Sequence, residues 1–351
     1  MAGRLTTRLR PALLVSMAVL LVGCFGTTRP APPTVFAPVP PVAPVRIGIA
    51  LGGGAAKGFA HIGVIKMLEA NGLEPAVVSG TSAGSVVGAL YASGMDAFQM
   101  QRHAVALDED EIRDISLFSG GLIKGQLLQD YVNRLVDRRP IDALEKPFAV
   151  VATRLEDGKR SVFVRGDTGQ AVRASSSIPG VFEPVAIGKW HYVDGGVVSP
   201  VPVDAARQLG AEFVIAVDIS SQASGTMPGS LLGIVNQSIT IMGRRLGAQE
   251  LARADVVISP AVNDIGAADF EQRHRALLAG EQAAQAALPR IRAKLATMQQ
   301  ARVDAAIAKA RASASARAEA IARCRQAQGW FDDESECDAL SAPAAASPGT
   351  P

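Results

Sequence analysis

The sequence predicts an α/β protein: a mostly parallel central sheet flanked by helices, followed by a helical C-terminal extension. Two observations carry this. From Val45 onward, short runs rich in β-branched residues alternate with helix-length stretches, the pattern of strand–helix–strand crossovers. Beyond residue 266 the sequence turns rich in Ala, Arg and Gln, with apolar residues at helical spacing. Length agrees, since 351 residues suffice for one large α/β domain or two. A content of 48% hydrophobic and 19% charged residues excludes a wholly disordered chain. The 35 basic and 33 acidic residues leave no basic field that would point to nucleic acid. Three cysteines make neither a disulfide framework nor a zinc-ligand pattern.

Residues 1–23 predict an export signal. Arg4, Arg8 and Arg10 form its positive start, and Ala12–Val22 its apolar core. That run is too short to span a bilayer as a helix, which takes about 20 residues. It ends Leu21-Val22-Gly23-Cys24, which resembles the bacterial lipobox, where the cysteine becomes the lipidated first residue of the mature chain. The competing reading is an ordinary secretory signal with an incidental cysteine. The dense prolines from Pro30 to Pro44 exclude helix and favour an extended tether over residues 24–44. Phe25 rather than an acid follows the cysteine, which points to the outer membrane. The expected location is the bacterial cell envelope, periplasmic and lipid-anchored.

The body is expected over residues 45–265. Strands are predicted at Val45–Leu51, Ala76–Ser79, Phe148–Arg154, Ser161–Arg165, His191–Asp194, Phe213–Asp218 and Asp255–Ser259. Helices are predicted at Gly58–Asn71, Ala83–Ser93, Gly125–Val136 and Val203–Leu209. In open sheets of this class, sites gather at the carboxyl ends of the strands. Residues 266–340 form the helical extension. Ala284, Leu288, Ile291, Leu295 and Met298 make one apolar stripe, and Pro289 marks a kink or a fresh helix start. This extension caps the body, and it also offers a helix face for a protein partner. Cys324 and Cys337 flank Trp330 and Phe331; in an oxidising compartment they are expected to bond, closing a loop worth roughly 3 kcal/mol in the chain-entropy model. Residues 341–351 read as a disordered tail.

Two glycine-rich loops carry the chemistry. Gly52-Gly53-Gly54-Ala55-Ala56-Lys57-Gly58 follows a strand and opens a helix, so its N–H groups and the helix dipole favour negative charge beyond the strand end. It is neither a complete P-loop nor a dinucleotide fingerprint. Gly80-Thr81-Ser82-Ala83-Gly84 follows an apolar strand and precedes a helix, the arrangement of a nucleophile elbow with Ser82 at its apex. Such a bend is too tight for side chains two residues before and after the serine, and Gly80 and Gly84 meet that demand. A third segment, Tyr192-Val193-Asp194-Gly195-Gly196, sets a carboxylate on a tight turn, which by itself fits a plain turn as well as a catalytic group. The base is not a clear histidine. His274 lies among charged residues on a helix face, and His61 sits one turn into the helix after the glycine loop, where packing explains it. The remaining histidines are His103 and His191.

Together these residues resemble the patatin-like phospholipases, and most of all the bacterial members related to neuropathy target esterase. The resemblance is carried by the glycine loop with Lys57-Gly58, the helix Phe59–Ile65, Gly80–Gly84, Ala174–Pro184 and Asp194-Gly195-Gly196, in that order. It spans about residues 45–260. It implies a patatin-like fold, no organic cofactor, no metal, and a Ser–Asp dyad with Ser82 as nucleophile and Asp194 as general base. It further implies an oxyanion hole from the backbone N–H groups of Gly53, Gly54 and Ala55, with Gly195 and Gly196 shaping the aspartate turn. Ala55 stands where the family often has glycine, so a positive φ there carries strain. Lys57 replaces the commoner arginine and either braces the loop or attracts an anionic head group. The implied substrate is a phospholipid or lysophospholipid, cleaved through an acyl-serine. The alternatives are a general esterase or thioesterase, or a non-catalytic envelope lipoprotein that uses the fold as a scaffold. Leu122–Leu128 is expected to pack in the core or line an acyl cleft.

Overall fold

The computed structural model describes residues 41–106, 125–223, 225–327 and 337. The export signal, Cys24, most of the tether, Leu122, Trp330, Phe331 and the 341–351 tail lie outside the described residues. The chain divides into two compact units. One comprises residues 41–306, and the other residues 1–40 with 307–351.

Within the first unit the strands are β1 (Ile47–Leu51), β2 (Val77–Thr81), β3 (Phe148–Arg154), β4 (Arg160–Phe163), β5 (Val185–Ile187), β6 (Trp190–Asp194), β7 (Phe213–Val217) and β8 (Val256–Ile258). They form one mixed sheet in the order β5-β6-β3-β2-β1-β7-β8, with β4 also on β3. Pairing is parallel from β3 through β2, β1 and β7 to β8. It is antiparallel where β3 meets β4 and β6, and where β5 meets β6. The expected strands are present within a residue or two. β5 had no run long enough to show in the sequence.

The central strands read as continuous apolar runs because both faces are covered. On one face Ile49, Leu51, Val78, Val150, Phe213 and Ile215 join a large core. Their alternates Ala50, Val77, Val214 and Ala216 face a smaller one that includes Val203 and Ala206. The helices are α1 (Phe59–Ala70), α2 (Ala83–Ala92), α3 (Ala97–Ala106), α4 (Gln126–Leu135), α5 (Thr168–Ser175), α6 (Val203–Gln208), α7 (Leu231–Leu251) and α8, which runs Arg273–Ala327 with Pro289 inside it. The sequence reading missed α3, α5 and α7. Leu128 on α4 packs against the large core, whereas Leu127 is exposed.

The predicted stripe on α8 is buried as expected. Ala284, Leu288 and Ile291 lie in the large core, with Leu295 and Met298 packed at its edge. α8 and α1 approach backbone to backbone: a Cβ at Gly63 would overlap the Leu277 carbonyl, and one at Gly280 would overlap the Ala60 carbonyl. Residues 273–306 are thus part of the body. In the second unit, residues 307–327 are helical and Cys324 is disulfide-bonded to Cys337, as the sequence led one to expect. Among the described residues no helix is long and apolar enough to cross a membrane.

Candidate active site

β2 ends at Thr81, and the next residue, Ser82, turns the chain directly into α2 with φ 52° and ψ −125°. A non-glycine residue in this region costs about 1–2 kcal/mol, and its neighbours hold it there. A Cβ at Gly84 would overlap the Leu51 carbonyl, and one at Gly80 would overlap the Gly84 carbonyl. Both glycines are required by close approach, as the elbow motif demands. The Ser82 N–H donates to Ser175 Oγ at 2.8 Å, and Ser175 in turn donates to the Val151 carbonyl at 2.6 Å.

Asp194 reaches this bend through the sheet register. Thr81 lies opposite Val151 on β3, and Ala152 on β3 lies opposite Asp194 on the antiparallel β6. Ser82 and Asp194 are therefore one strand apart, across β3. Gly195 fits because a side chain there would overlap the Val151 carbonyl. The aspartate is fixed by its main chain: its N–H donates to Ser177 O at 2.9 Å, and its own carbonyl accepts from Thr153 Oγ1 at 2.8 Å. One carboxylate oxygen accepts from the Gly196 N–H at 2.7 Å, and the Ser82 side chain stands near enough to favour the charged carboxylate. Burial pushes the Asp194 carboxyl up to about 6, against the opposing pull of Ser82 and the Gly196 N–H. Both side chains are only 7% exposed.

The glycine loop faces the same point. Gly53 packs so closely on Ser82 that a Cβ there would lie 3.2 Å from the serine Cβ. Ala55 takes φ 51°, the strained value that its departure from glycine made costly. One expectation needs correcting. The Gly53 N–H donates to the Pro200 carbonyl at 3.0 Å, which withdraws it from an oxyanion hole. The N–H groups of Gly54 and Ala55 meet no acceptor among the described residues, because they lie at the start of the helical turn Ala55–Gly58, where no earlier carbonyl can reach. Lys57 is buried, and its Nζ donates to Ser221 Oγ at 2.7 Å. Of its two expected roles the geometry matches the brace, tying the loop to the segment after β7. Gly58 is held by close approach to Ala83.

None of the histidines is a hydrogen-bond partner of Ser82 or Asp194. His61 is fully buried and held neutral, its value lowered to about 4 by desolvation. Its Nε2 must carry the proton, because it meets the Gly52 carbonyl at 2.8 Å. His191 pairs with Glu156, and His274 is on an exposed face of α8. His103 stands on the wall of the cavity described next. Among the described residues no cluster of three or more His, Cys, Asp or Glu is placed to hold a metal ion.

Ser82 and Ala55 open onto an apolar cavity of about 380 Å³, a size within the range of small-ligand pockets. Val86, Leu90, Met100, Leu128 and Phe182 are among its walls, so Leu128 serves both readings given to its segment. Two contributors had no recognisable sequence signal. Ser175 was visible only as part of a serine run. Glu250, the sole acid of α7, is buried and accepts from Ser199 Oγ and from the Val201 N–H. It thereby fixes the segment after the aspartate turn, where Ser199 O also accepts from Thr81 Oγ1 at 2.8 Å. A lone acid on an otherwise acid-free helix was the one available hint.

Residues 49–207 match the family model described as patatin-like phospholipase. An uncharacterized NTE-family protein of Mycobacterium tuberculosis is 35% identical over 184 residues, 51% of each chain. A second from the same organism is 30% identical over 270 residues, covering 69% of this chain and 46% of the other. The patatin-like phospholipase domain-containing protein 6 of Mus musculus is 33% identical over 184 residues, 50% of this chain and 14% of that one. The chain spans about half the length of the mycobacterial relatives it matches. The elbow around Ser82, the glycine loop facing it and the Asp194 turn all fall inside the matched segment, which belongs to the patatin-like phospholipase family.

Proposed function

We propose that this protein is a serine lipid acyl hydrolase that cleaves a carboxylic ester of a phospholipid or lysophospholipid through an acyl-Ser82 intermediate. The observation that carries the reading is the juxtaposition of buried Asp194 with Ser82, which lines an apolar cavity. With the acyl chain in that cavity, the ester carbonyl comes to Ser82 Oγ. The hydroxyl attacks as its proton passes to the Asp194 carboxylate. The negative charge on the carbonyl oxygen is met by the Gly54 and Ala55 N–H groups, where loss of one such donor typically costs about 2.7–4 kcal/mol. Collapse breaks the ester C–O bond, and Asp194 returns the proton to the departing alkoxide, releasing the alcohol part of the lipid. Water then attacks the acyl-serine with Asp194 as base, releases the fatty acid and restores Ser82. An aspartate raised to about 6 by burial is a better proton acceptor than an exposed one and is still ionised at neutral pH.

A fluorophosphonate probe tests the nucleophile. Wild type should label and release fatty acid from phosphatidylglycerol vesicles, and Ser82→Ala should do neither. A folded wild-type protein that neither labels nor hydrolyses would point instead to a scaffold. Turnover of soluble short-chain esters without phospholipid would point to a general esterase. The proposal extends to location: lipidation of Cys24 would hold the chain on the periplasmic side of the cell envelope.

A further inference from the structure

Helix α7 is apolar on the side that a water-facing helix would make polar. On its inward side half-buried Ile239 and Leu246 flank small and polar residues. Gly243 and Gly247 lie against Pro200, and Glu250 against Ser199 and Val201. Its outward stripe recurs at spacings of three and four through Leu231, Ile234, Val235, Ser238, Ile241 and Met242, and is apolar but for Ser238. Leu231 is 78% exposed and Met242 57%, and Met227 just ahead of the helix is 80% exposed. Scattered apolar residues on a surface need no explanation, but a contiguous stripe does. The polar side chains among them turn back onto the helix. Ser238 donates to the Ile234 carbonyl at 2.9 Å, and Thr240 to the Asn236 carbonyl at 2.9 Å, so their hydroxyls make no demand on solvent.

Two further observations say what covers this stripe. It ends on Arg244 and Arg245, which line a shallow recess and have no ion pair among the described residues, and α7 has no acid before the buried Glu250. The stripe therefore offers apolar surface edged by positive charge, complementary to acyl chains beneath anionic head groups. Asn236 of the same helix lines the cavity that holds Ser82, so a bilayer in contact with the stripe lies beside that cavity. We infer that α7 is an interfacial helix: it lies in the plane of an anionic phospholipid bilayer with its outward stripe among the acyl chains and Arg244 and Arg245 at the phosphates. The inference rests on the lipid hydrolase reading for its purpose, since an acyl chain would then pass from bilayer to cavity without crossing water.

The test reads insertion, not turnover. The full chain carries an environment-sensitive nitrobenzoxadiazole label at Met242→Cys or, as control, at Glu74→Cys in the loop ahead of β2, at the amino end of that strand. Phosphatidylglycerol vesicles should brighten the label at 242 several-fold and shift it to the blue, leaving that at 74 unchanged. Arg244→Gln with Arg245→Gln should weaken partition onto these vesicles about tenfold or more, and high salt should do the same. A label at 242 that stays dark on vesicles the protein hydrolyses overturns the interfacial helix and leaves the hydrolase standing. Insertion without any hydrolysis does the reverse. A bright label in buffer alone, with the mass of a dimer, assigns the stripe to a second copy of the chain and also overturns the inference. Equal partition onto phosphatidylcholine vesicles overturns the role given to the arginines.

Discussion

Asp194 carries a cost that its neighbours cannot remove. Its carboxyl sits at about 6 instead of 3.8 because burial penalises the charged form more than Ser82 and the Gly196 N–H favour it. In the unfolded chain the group titrates near its ordinary value, so the folded state binds the proton more tightly. The penalty is therefore fully present above about pH 6 and vanishes below about pH 4, with a ceiling of about 3 kcal/mol for a shift of this size. Asp194→Asn should abolish turnover and yet stabilise the fold by about 1–3 kcal/mol at pH 8, a gain that disappears at pH 4. Urea unfolding at the two pH values measures it. The wild-type rate at subsaturating substrate should fall with a single proton below about pH 6, as an aspartate base requires. A profile flat down to pH 4 would remove Asp194 from that role. Ala55 and Ser82 add strain of their own at φ 51° and 52°, so two of the strained residues meet at the site, while the other non-glycine residues of positive φ among those described, Asp137 and Arg138, follow α4.

At the level of elements, the site depends on helices seated closer than side chains allow. α2 sits on β1 through Gly84, and α8 sits on α1 through Gly63 and Gly280. The second contact makes a straightforward test of whether the start of α8 belongs to the body. Gly280→Val would drive a branched side chain into the Ala60 carbonyl and should destabilise the fold by several kcal/mol, well beyond the roughly 1–3 kcal/mol usual for overpacking. A denaturation midpoint within error of wild type would show that α8 is a detachable cap. The elements missed in the sequence share a cause. β5 is three residues long, and α3 carries Gln99, Gln101, Arg102 and His103 through its middle. α7 has apolar residues on both sides, outward Ile234, Val235 and Met242 and inward Ile239 and Leu246, so a one-sided periodicity signal is absent where the helix nevertheless forms.

For the molecule as a whole, the proposed anchor and the proposed interfacial helix act on the same surface at different strengths. One acyl chain holds weakly, and durable attachment takes further chains or a second contact. Lipidation of Cys24 predicts that cells fed labelled palmitate incorporate it into this chain and that Cys24→Ser abolishes the label. Unchanged labelling of the variant would overturn Cys24 as the site. If the proline-rich segment between that cysteine and the body serves as the extended spacer its composition predicts, orientation at the membrane falls to the body.

The linear sequence determined the strand–helix alternation, the elbow at Ser82 and the glycine loop, because each follows from local periodicity or from residues a few positions apart. The α8 stripe was legible for the same reason. Tertiary structure alone decided that Asp194 meets Ser82, since that depends on β6 entering antiparallel and pairing with β3 at Ala152. It also decided that Pro200 takes the Gly53 N–H from the expected set of donors, and that an apolar stripe of α7 faces outward. Those outcomes depend on which distant backbone group arrives first and which face of a helix finds a neighbour, and neither is written in the spacing of residues along the chain.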